Sequence, residues 1–466
     1  LVRTLMQMFP DMKVEEIEDA KEQLETSSPA AAKEYLIMGQ KDAQWFALAK
    51  CFLENEDPKL KESAKAILDA FYYKYRHDPI SHVVAEAVYG KQIMGSVTRL
   101  EQYAKCAYRQ FLSYGLRLQE REESGFESVD MGNLYHEALE GYSNKLAKST
   151  YDWFTIPEDI MYDYAERSME EALLGFPNLS VYATAENEHQ AKRMNHIFKQ
   201  TVWALTTQVR KGRFVPSDFE ISFSKAEALE ALQFQLEHQN SIQLTGRIDR
   251  LDTCVDENRL YVKVIDYKSG DNTFDLLELY YGRQLQLAVY MNAALELEKK
   301  KHPLKEVIPG GLFYYNIDDP VIEITEELSE GTLKEEMLKA LKPNGLVNEE
   351  EAIYRSMDMD FEKTSDVIPV SLKKSGEHTK YSSVAPTETF ALISEYVNHH
   401  IKETGNEIYQ GNVEVKPYRR GKKSGCDYCP YGGICHQKTV SGRRNYKTMS
   451  AQRFWDEVGK EMGHGG

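Results

Sequence analysis

Two aspartates and one lysine have the residue types and spacing of a site that could hydrolyse a phosphodiester. Asp266 and Lys268 stand two residues apart at the end of an apolar stretch, and Asp249 lies in a similar stretch upstream. Two carboxylates within reach of each other repel unless a cation lies between them, and hard oxygen ligands suit Mg²⁺ or Mn²⁺. Metal and lysine together could stabilise the charge that develops on a phosphate. The plain alternative is a surface salt-bridge patch, because the Asp-x-Lys tripeptide is common.

The elements that must position these groups are two strands joined by a tight turn. "RLYVKVIDYKS" from Arg259 and "SIQLTGRIDRLDT" from Ser241 are typical of strands, and "CVDENR" between them is typical of a hairpin turn. Antiparallel pairing would bring Asp249 and Asp266 to neighbouring levels, although the turn alone does not fix the register. Because side chains alternate along a strand, Lys268 would point to the same side as Asp266.

The rest of the sequence predicts an α/β domain behind a helical segment. Residues 1–94 have apolar residues at helical spacing and few Gly or Pro breakers. Further strands are expected over 217–224, 231–237 and 311–317. Helices are expected over 96–116, 130–148, 157–175, 186–211, 275–300 and 388–403. Residues 357–388 are polar without a sustained period and predict a loop or linker.

Five motifs follow one another in a recognisable order. They are "GNLYHEAL", "SDFEISF", "GRIDRLD", "IDYKSG" and "QLQLAVY". The set resembles the RecB-like branch of the PD-(D/E)XK nuclease superfamily, whose pattern permits an Asp before the lysine. The resemblance implies an α/β nuclease core, with a mixed sheet flanked by helices and preceded by a helical segment.

The resemblance also implies a role for each matching residue. The expected catalytic set is Asp249, Asp266, Lys268, Glu220, His136, Gln286 and Tyr290. Within it, Asp249, Asp266 and His136, with the carbonyl of Tyr267, would bind Mg²⁺ or Mn²⁺. Gln286 and Tyr290 would position the DNA backbone or the lysine. Taken alone, His136 would more often be a structural histidine of a helix.

The C-terminal cysteines form a second group that could bind a metal. Cys426, Cys429 and Cys435 have the spacing C-x2-C-x5-C, and a four-ligand site needs one more thiol. The candidates for that thiol are Cys51, Cys106 and Cys254. A zinc site and unliganded thiols are alternative interpretations of the cysteine spacing. The resemblance implies a 4Fe–4S cluster on Cys106, Cys426, Cys429 and Cys435, tying the last segment to the first helix of the nuclease domain.

Basic residues flank both parts of this cysteine set. They are Arg99, Lys105 and Arg109 in the first part and Arg419, Arg420, Lys422 and Lys423 in the second. A shared cluster would bring them together as a surface for a phosphate backbone, with tyrosines for unstacked bases. A solvated basic face is the alternative.

Length, composition and charge restrict the classes of protein to which the sequence can belong. The chain has 466 residues, 42% hydrophobic residues, and a formal net charge of -17, which argues weakly against a general polyanion binder. The mean hydropathy of -0.55 and the lack of a long apolar run predict no membrane span. Six cysteines without a secretory signal indicate a reducing, cytoplasmic setting. The chain begins with Leu, so we expect a fragment or the ordered part of something longer.

The motif order and the cysteines together resemble the nuclease subunit of bacterial helicase–nuclease complexes. The resemblance implies an Mg²⁺-dependent deoxyribonuclease that cuts single-stranded DNA, the strand ending 5′, at unwound duplex ends during recombinational repair of double-strand breaks. It also implies a heterodimer with a second helicase–nuclease subunit. Residues 1–94 would be the tail of a helicase-like region, 95–440 the nuclease domain and 441–466 a C-terminal tail. The alternatives are an iron–sulfur exonuclease of another pathway, such as CRISPR adaptation, and a non-catalytic DNA-binding subunit.

Overall fold

The structure is a computed structural model of the chain, which folds into two compact units. It describes residues 2–12, 27–39, 41–72, 78–119, 128–175, 185–223, 229, 232–322, 329–435 and 442–463. The first unit is Leu1–Arg76 and the second unit is His77–Gly466. No helix of the described residues is long and apolar enough to cross a membrane.

The first unit is helical, as the sequence predicts. Its helices are α1 (Val2–Met8), α2 (Pro29–Met38), α3 (Ala43–Leu53) and α4 (Pro58–Tyr72). Ser28 and Asp42 accept backbone N–H groups at the starts of α2 and α3, which satisfies donors that a helix leaves free. Trp45 is buried between these helices and donates its indole N–H to the carbonyl of Leu36 at 2.9 Å.

The second unit combines helices with three sheets. Its helices are α5 (His82–Tyr89), α6 (Val97–Lys105), α7 (Ala107–Gln110), α8 (Ser128–Ala147), α9 (Glu158–Gly175), α10 (Ala185–Arg210), α11 (Leu276–Tyr280), α12 (Gln286–Lys301), α13 (Glu330–Ala340), α14 (Glu351–Met357), α15 (Thr387–Tyr409), α16 (Gly432–Cys435) and α17 (Ala451–Glu461). Its strands are β1 (Gln92–Ser96), β2 (Val215–Ser222), β3 (Gln233–Gln235), β4 (Ser241–Thr245), β5 (Arg247–Asp256), β6 (Arg259–Lys268), β7 (Glu306–Asn316), β8 (Asn344–Asn348), β9 (Val384–Ala385), β10 (Tyr418–Arg420), β11 (Lys423–Ser424) and β12 (Arg444–Asn445). A π-helix over Phe111–Gly115 follows α7, and a 3₁₀ turn spans Glu237–Gln239.

The main sheet is mixed and has the strand order β2-β5-β6-β7-β8-β9. Strands β5 and β6 form the predicted antiparallel hairpin, and β6 runs parallel to β7 after a connection that contains α12. A parallel pair needs such a crossover, because the chain must return to the same end of the sheet. The predicted α/β class, with a mixed sheet and flanking helices, is confirmed.

Strand β6 is buried on both faces of the main sheet. On one face, Leu260, Val262 and Val264 pack into a cluster that includes residues of α12 and α15. On the other face, Tyr261, Ile265 and Tyr267 pack into a cluster that includes residues of α8, α9 and α10. Burial on both faces explains why apolar residues of β6 occupy both alternating sets of positions. The alternation also assigns Asp266 and Lys268 to the face covered by α12.

Three elements that the sequence predicts as continuous are interrupted. The run 241–253 divides at Gly246, whose φ of +153° suits glycine, and β4 and β5 then join different sheets. The helix predicted over 275–300 breaks into α11 and α12, with Gly282 at a φ of +71° between them. The helix predicted over 96–116 breaks at Cys106, whose backbone is extended. These breaks start β5 just before Asp249 and start α12 at Gln286.

In the second unit, Gly411 occupies a position where a side chain would clash with a neighbouring backbone segment. Gly411 has a φ of +77°, and a Cβ on it would lie 1.8 Å from the carbonyl oxygen of Ile80. The amide of Ile80 donates to the carbonyl of Gly411 at 3.0 Å, so this close approach is part of a backbone hydrogen bond. Gly376 has a φ of +86° but open space where a Cβ would lie.

We expect Gly411→Ala to destabilise the protein much more than Gly376→Ala. The left-handed backbone costs an alanine about 1–2 kcal/mol at either position. At Gly411 the clash also breaks a backbone hydrogen bond, which adds about 1–3 kcal/mol. Urea unfolding of the two variants measures the difference, and equal midpoints would contradict the packing at Ile80.

Candidate active site

Three carboxylates from neighbouring strands form a row across the main sheet. In the β2–β5 ladder, the paired positions on either side of Glu220 place it opposite Asp249. The β5–β6 ladder runs up to the Arg250–Ile265 pair, and the next position on each strand is Asp249 and Asp266. Each of the three side chains is less than a tenth exposed. The row therefore concentrates negative charge in a buried place.

The backbone departs from an extended strand at Glu220. Its φ is +48°, a left-handed value that is rare for residues other than glycine. Such strain costs about 1–3 kcal/mol and is found mostly at functional sites, where the surroundings enforce it. Arg247 Nη1 lies 3.1 Å from Glu220 Oε2, and this arginine is largely exposed at the edge of the site.

Helix α8 places His136 beside this row of carboxylates. The His136 Nδ1 atom lies 3.5 Å from Glu220 Oε1 and 3.6 Å from Asp249 Oδ2. The Nε2 atom lies 3.2 Å from the carbonyl oxygen of Tyr267. A Cβ on Gly132 would lie 3.1 Å from Ser269 Oγ, so a glycine one turn before the histidine lets α8 approach the end of β6.

Lys268 and Gln286 complete the network on the α12 side. Lys268 Nζ lies 2.5 Å from Asp266 Oδ2 and donates to Gln286 Oε1 at 2.9 Å. Gln286 Nε2 donates to Asp266 Oδ1 at 2.8 Å and to the Tyr290 hydroxyl at 2.7 Å. The Tyr290 side chain is itself buried against the ring of Phe223. One glutamine side chain thus holds both the lysine and the aspartate.

Burial and mutual repulsion dominate the electrostatics of the two aspartates. Burial, and then the charge of Asp266, raises the pKa of Asp249 well above its usual value, against the opposing effect of His136. Burial also raises the pKa of Asp266, although Lys268 and a hydrogen bond with Asp249 act in the opposite direction. Burial lowers the pKa of His136, but Glu220 and Asp249 outweigh it and the pKa is raised. The site lacks enough positive charge for its acids.

The donors present fit a divalent cation. Among the residues that the structure describes, one group of three His, Cys, Asp or Glu has ligand atoms within 4.8 Å of one another: His136, Glu220 and Asp249. Asp266 Oδ2 is buried and accepts no well-aligned hydrogen bond, despite its close approach to Lys268. Carboxylate oxygens with free acceptor capacity are what a hard divalent ion binds.

The predicted DNA-binding cations lie in different settings. Lys105, Arg420, Lys422 and Lys423 line a groove of about 1230 Å³ that also contains Lys268 and Gln286. Arg420 is paired there with the carboxylates of Asp275 and Glu278. Arg99 is buried between the rings of Tyr89 and Tyr114 and is not among the residues that line the groove. Arg109 and Arg419 are not part of the groove lining in the described residues.

The C-terminal cysteines lie in a segment that packs against α6. A Cβ on Gly425 would lie 2.5 Å from the carbonyl oxygen of Lys105, the residue before Cys106. Burial raises the pKa of the Cys106 thiol, and nearby backbone N–H groups act in the opposite direction. Burial raises the pKa of Cys426, and Cys429 and Cys435 act in the same direction. In the described part of the chain, the four sulfurs do not form a group as tight as the His136 group.

A second buried acid on β5 has a structural setting that the sequence did not indicate. Asp252 accepts from Arg250 Nε at 2.6 Å and lies 2.8 Å from Lys263 Nζ. Burial would raise the pKa of Asp252, but the two cations outweigh it and lower the pKa. The run "RIDRLD" contains both aspartates, and their neighbours distinguish them: Asp252 has Arg250 and Lys263, whereas Asp249 has Glu220 and Asp266.

Comparison with known proteins identifies the family of the chain. Residues 95–436 match the family model of the PD-(D/E)XK nuclease superfamily. The chain is 34% identical to an ATP-dependent helicase/deoxyribonuclease subunit from Lachnoclostridium phytofermentans, over 99% of this chain and 40% of that protein. It is also 34% identical to a protein of the same name from Alkaliphilus oremlandii, over 85% of this chain and 34% of that protein.

A third relative of that name, from Caldanaerobacter subterraneus, is 31% identical over 92% of this chain and 37% of its own length. The chain thus spans about two fifths or less of the curated relatives named here. The predicted resemblance to the nuclease-bearing subunit of bacterial helicase–nuclease complexes, known as AddB, is confirmed.

We expect different effects on the free energy of unfolding from neutralising Asp252 and Asp249, the two buried aspartates of β5. Asp252→Asn should cost about 3–5 kcal/mol, because it leaves Arg250 and Lys263 buried without their carboxylate. Asp249→Asn should leave the unfolding free energy unchanged or raise it, because it relieves repulsion and an amide oxygen can still accept the N–H of Tyr267, now 2.8 Å from Asp249 Oδ2.

Urea unfolding measures both effects. Thermal unfolding with added Mn²⁺ provides the second readout, since the ion should stabilise the wild type and Asp252→Asn but not Asp249→Asn. Equal destabilisation by the two substitutions would contradict the assignment of Asp249 to an ion site.

Proposed function

Because the chain belongs to the PD-(D/E)XK nuclease superfamily, we propose that it is a divalent-metal-dependent deoxyribonuclease that cleaves single-stranded DNA. The observation that carries the proposal is the buried row of Glu220, Asp249 and Asp266 beside a lysine. The names of the relatives support a role as one subunit of a helicase–nuclease. The full proposal is cleavage of the strand ending 5′ during double-strand break repair, in a heterodimer with an AddA-like subunit.

The same relatives bear on the rest of the chain. Because they are much longer than this chain, residues 1–94 are proposed to be the tail of a helicase-like region. The proposed nuclease domain is 95–440, and residues 441–466 follow it as a C-terminal segment. Matches over 85% and 99% of the chain favour this assignment over a shorter exonuclease of another pathway.

The acid row and His136 would hold the divalent ion. Asp249, Asp266 and the carbonyl of Tyr267 offer oxygen ligands of the kind that Mg²⁺ and Mn²⁺ prefer. Glu220 and His136 would either complete the site or orient those ligands. A bound ion would polarise a phosphate oxygen and offset the excess negative charge.

Lys268 would act on the phosphate directly. Its ammonium group projects from the same face as Asp266 and borders the groove, so it could donate to a phosphate oxygen as negative charge develops there. Gln286 limits the positions that the ammonium group can take, because its Oε1 atom accepts a hydrogen bond from Lys268 Nζ. Such preorganisation matters because the group need not be rearranged during the reaction.

The groove beside Lys268 is the proposed path of the DNA strand. Lys105, Lys422 and Lys423 would bind successive phosphates along it, with Arg420 as a further cation. Arg109 and Arg419 are proposed contacts beyond the groove. We leave Arg99 out of the path because its guanidinium is enclosed by two tyrosine rings.

We further propose that Cys106, Cys426, Cys429 and Cys435 hold a 4Fe–4S cluster. The support is the close packing of Gly425 against the carbonyl oxygen of Lys105, which brings the residue before Cys426 beside the residue before Cys106. In a cubane cluster each thiolate binds a different iron, so the sulfurs stand farther apart than the ligands of one ion. A single zinc ion would need the four sulfurs in a tight tetrahedron.

The nuclease proposal predicts that Asp266→Ala and Lys268→Met each lower the cleavage rate by about a hundredfold or more, because each removes charge stabilisation in a water-poor site. The measurement is cleavage of end-labelled single-stranded oligonucleotides with Mg²⁺ or Mn²⁺, and labels at either end report the polarity. Lys192→Met, at an exposed lysine of α10 paired with Glu188, is the control. Cleavage that survives a chelator or both substitutions would overturn the proposal.

The cluster proposal predicts that Cys106→Ser removes visible absorption, iron and sulfide together from anaerobically purified protein. Loss of the link should also lower stability by several kcal/mol, about what closure of a long loop contributes. Cys254→Ser, a buried thiol on β5, is the matched control. A colourless protein with one zinc per chain would contradict the cluster.

A further inference from the structure

The start of α12 receives its cap from a distant helix. Leu285 is the N-cap residue, and no side chain of its own segment caps the helix there. Glu101 on α6 instead accepts the backbone N–H of Leu285 at 2.8 Å and that of Gln286 at 3.3 Å, both at its Oε1 atom. The first amides of a helix have no partner within the helix, so a carboxylate at this position satisfies two of them.

The capped residue is the glutamine that holds the lysine. Gln286 is the first residue of α12, and its side chain bridges Lys268 and Asp266. A shift of the helix start would therefore move the glutamine amide and, with it, the position of the lysine ammonium. The break around Gly282 leaves this helix start without support from a preceding helical turn.

Glu101 itself is held in place by the packing of α6. The carbonyl of Ala104, one turn later, accepts from Arg444 Nη2 at 2.5 Å and from the Tyr446 hydroxyl at 3.1 Å. The next carbonyl, that of Lys105, lies against Gly425. The C-terminal segment thus fixes the end of the helix that carries Glu101.

The carboxylate also borders the proposed substrate groove. Glu101 and Lys268 both line the groove, and the charge of Glu101 acts on the pKa of the lysine in the same direction as that of Asp266. It contacts neither the acid row nor the proposed ion ligands in the hydrogen bonds of the described residues. Its effect on the reaction would therefore pass through Gln286 and Lys268.

We propose that Glu101 is a positioning residue, which fixes the start of α12 so that Gln286 holds Lys268 in its working place. The inference rests on the proposed nuclease function for its kinetic consequence but not for its structural one. The C-terminal segment, which anchors α6, would then support the active site in part through this carboxylate. Its removal should disturb the lysine without removing any ligand of the ion.

The kinetic test compares Glu101→Ala, Glu101→Gln and Ser329→Ala in the metal-loaded protein, with a single-stranded oligonucleotide as substrate. Glu101→Ala should lower kcat roughly tenfold to a hundredfold, the size expected for a misplaced catalytic group, with KM within about twofold of the wild type. Glu101→Gln should recover most of kcat, because its amide oxygen can still accept both N–H groups. Ser329→Ala removes the cap of α13, where Ser329 Oγ accepts the N–H of Thr332, and should leave kcat unchanged.

The structural test does not need activity. Hydrogen–deuterium exchange over residues 283–290 should be faster in Glu101→Ala, but unchanged in Glu101→Gln and in Ser329→Ala. If the wild type cuts no DNA, the proposed function fails, and the exchange result alone decides the role of Glu101. Unchanged exchange in Glu101→Ala, a loss of kcat no larger than in Ser329→Ala, or a Gln variant as slow as the Ala variant would each overturn the inference.

Discussion

Repulsion among Glu220, Asp249 and Asp266 is the constraint on which the rest of the site depends. Three acids at one level of three neighbouring strands cannot all be ionised in a buried place without positive charge beside them. Among the described residues, His136 lies beside the row on one side and Lys268 on the other, and the largely exposed Arg247 contacts Glu220 at the edge. His136 comes from a helix far away in the sequence, whereas Lys268 lies on the strand of Asp266 and is held by Gln286 of α12, so the site needs both helices packed on the sheet.

Each of those charges is held by an element that packs on a different face of the main sheet. His136 belongs to α8, in the cluster that covers the Tyr267 face of β6, and Lys268 is held through α12, which covers the opposite face. The carbonyl of Tyr267 touches the histidine while its amide donates to Asp249. One peptide segment of β6 is thus shared by the two sides, which couples the packing of the two cores to the geometry of the acids.

The sequence predicts the strands and helices of this site better than the positions at which they start and end. Strand β6, the hairpin and helix α8 follow from apolar alternation and helical spacing, which are local properties. The breaks at Gly246 and Cys106 do not follow, because the runs around them keep the periodicity of one element. The helix start at Gln286 also escapes prediction, since its cap is Glu101, which lies 184 positions from Leu285. Such contacts depend on tertiary packing, which no local pattern records.

The predicted DNA-binding residues also depend on tertiary packing that the sequence does not show. Arg99 and Lys105 lie on one short helix with similar surroundings in the sequence, yet one is enclosed by tyrosine rings and the other lines the groove. Helical spacing assigns the two positions to different sides of α6, but only the neighbours decide which side faces a core. A cluster of basic residues in the sequence therefore indicates a basic surface, but it does not show which of those residues lie on that surface.

Strand β5 separates the contribution of a buried acid to stability from its contribution to function. Asp252 has two cations within hydrogen-bonding distance, so its charge is compensated inside the folded chain. Asp249, three residues earlier and also buried, has acids on both sides and a histidine farther away. A chain selected for stability alone would not retain the second arrangement, because burying an undercompensated charge is costly. A multivalent cation from outside the chain would make this arrangement favourable, and the proposed function is therefore placed at Asp249, the less compensated of the two aspartates.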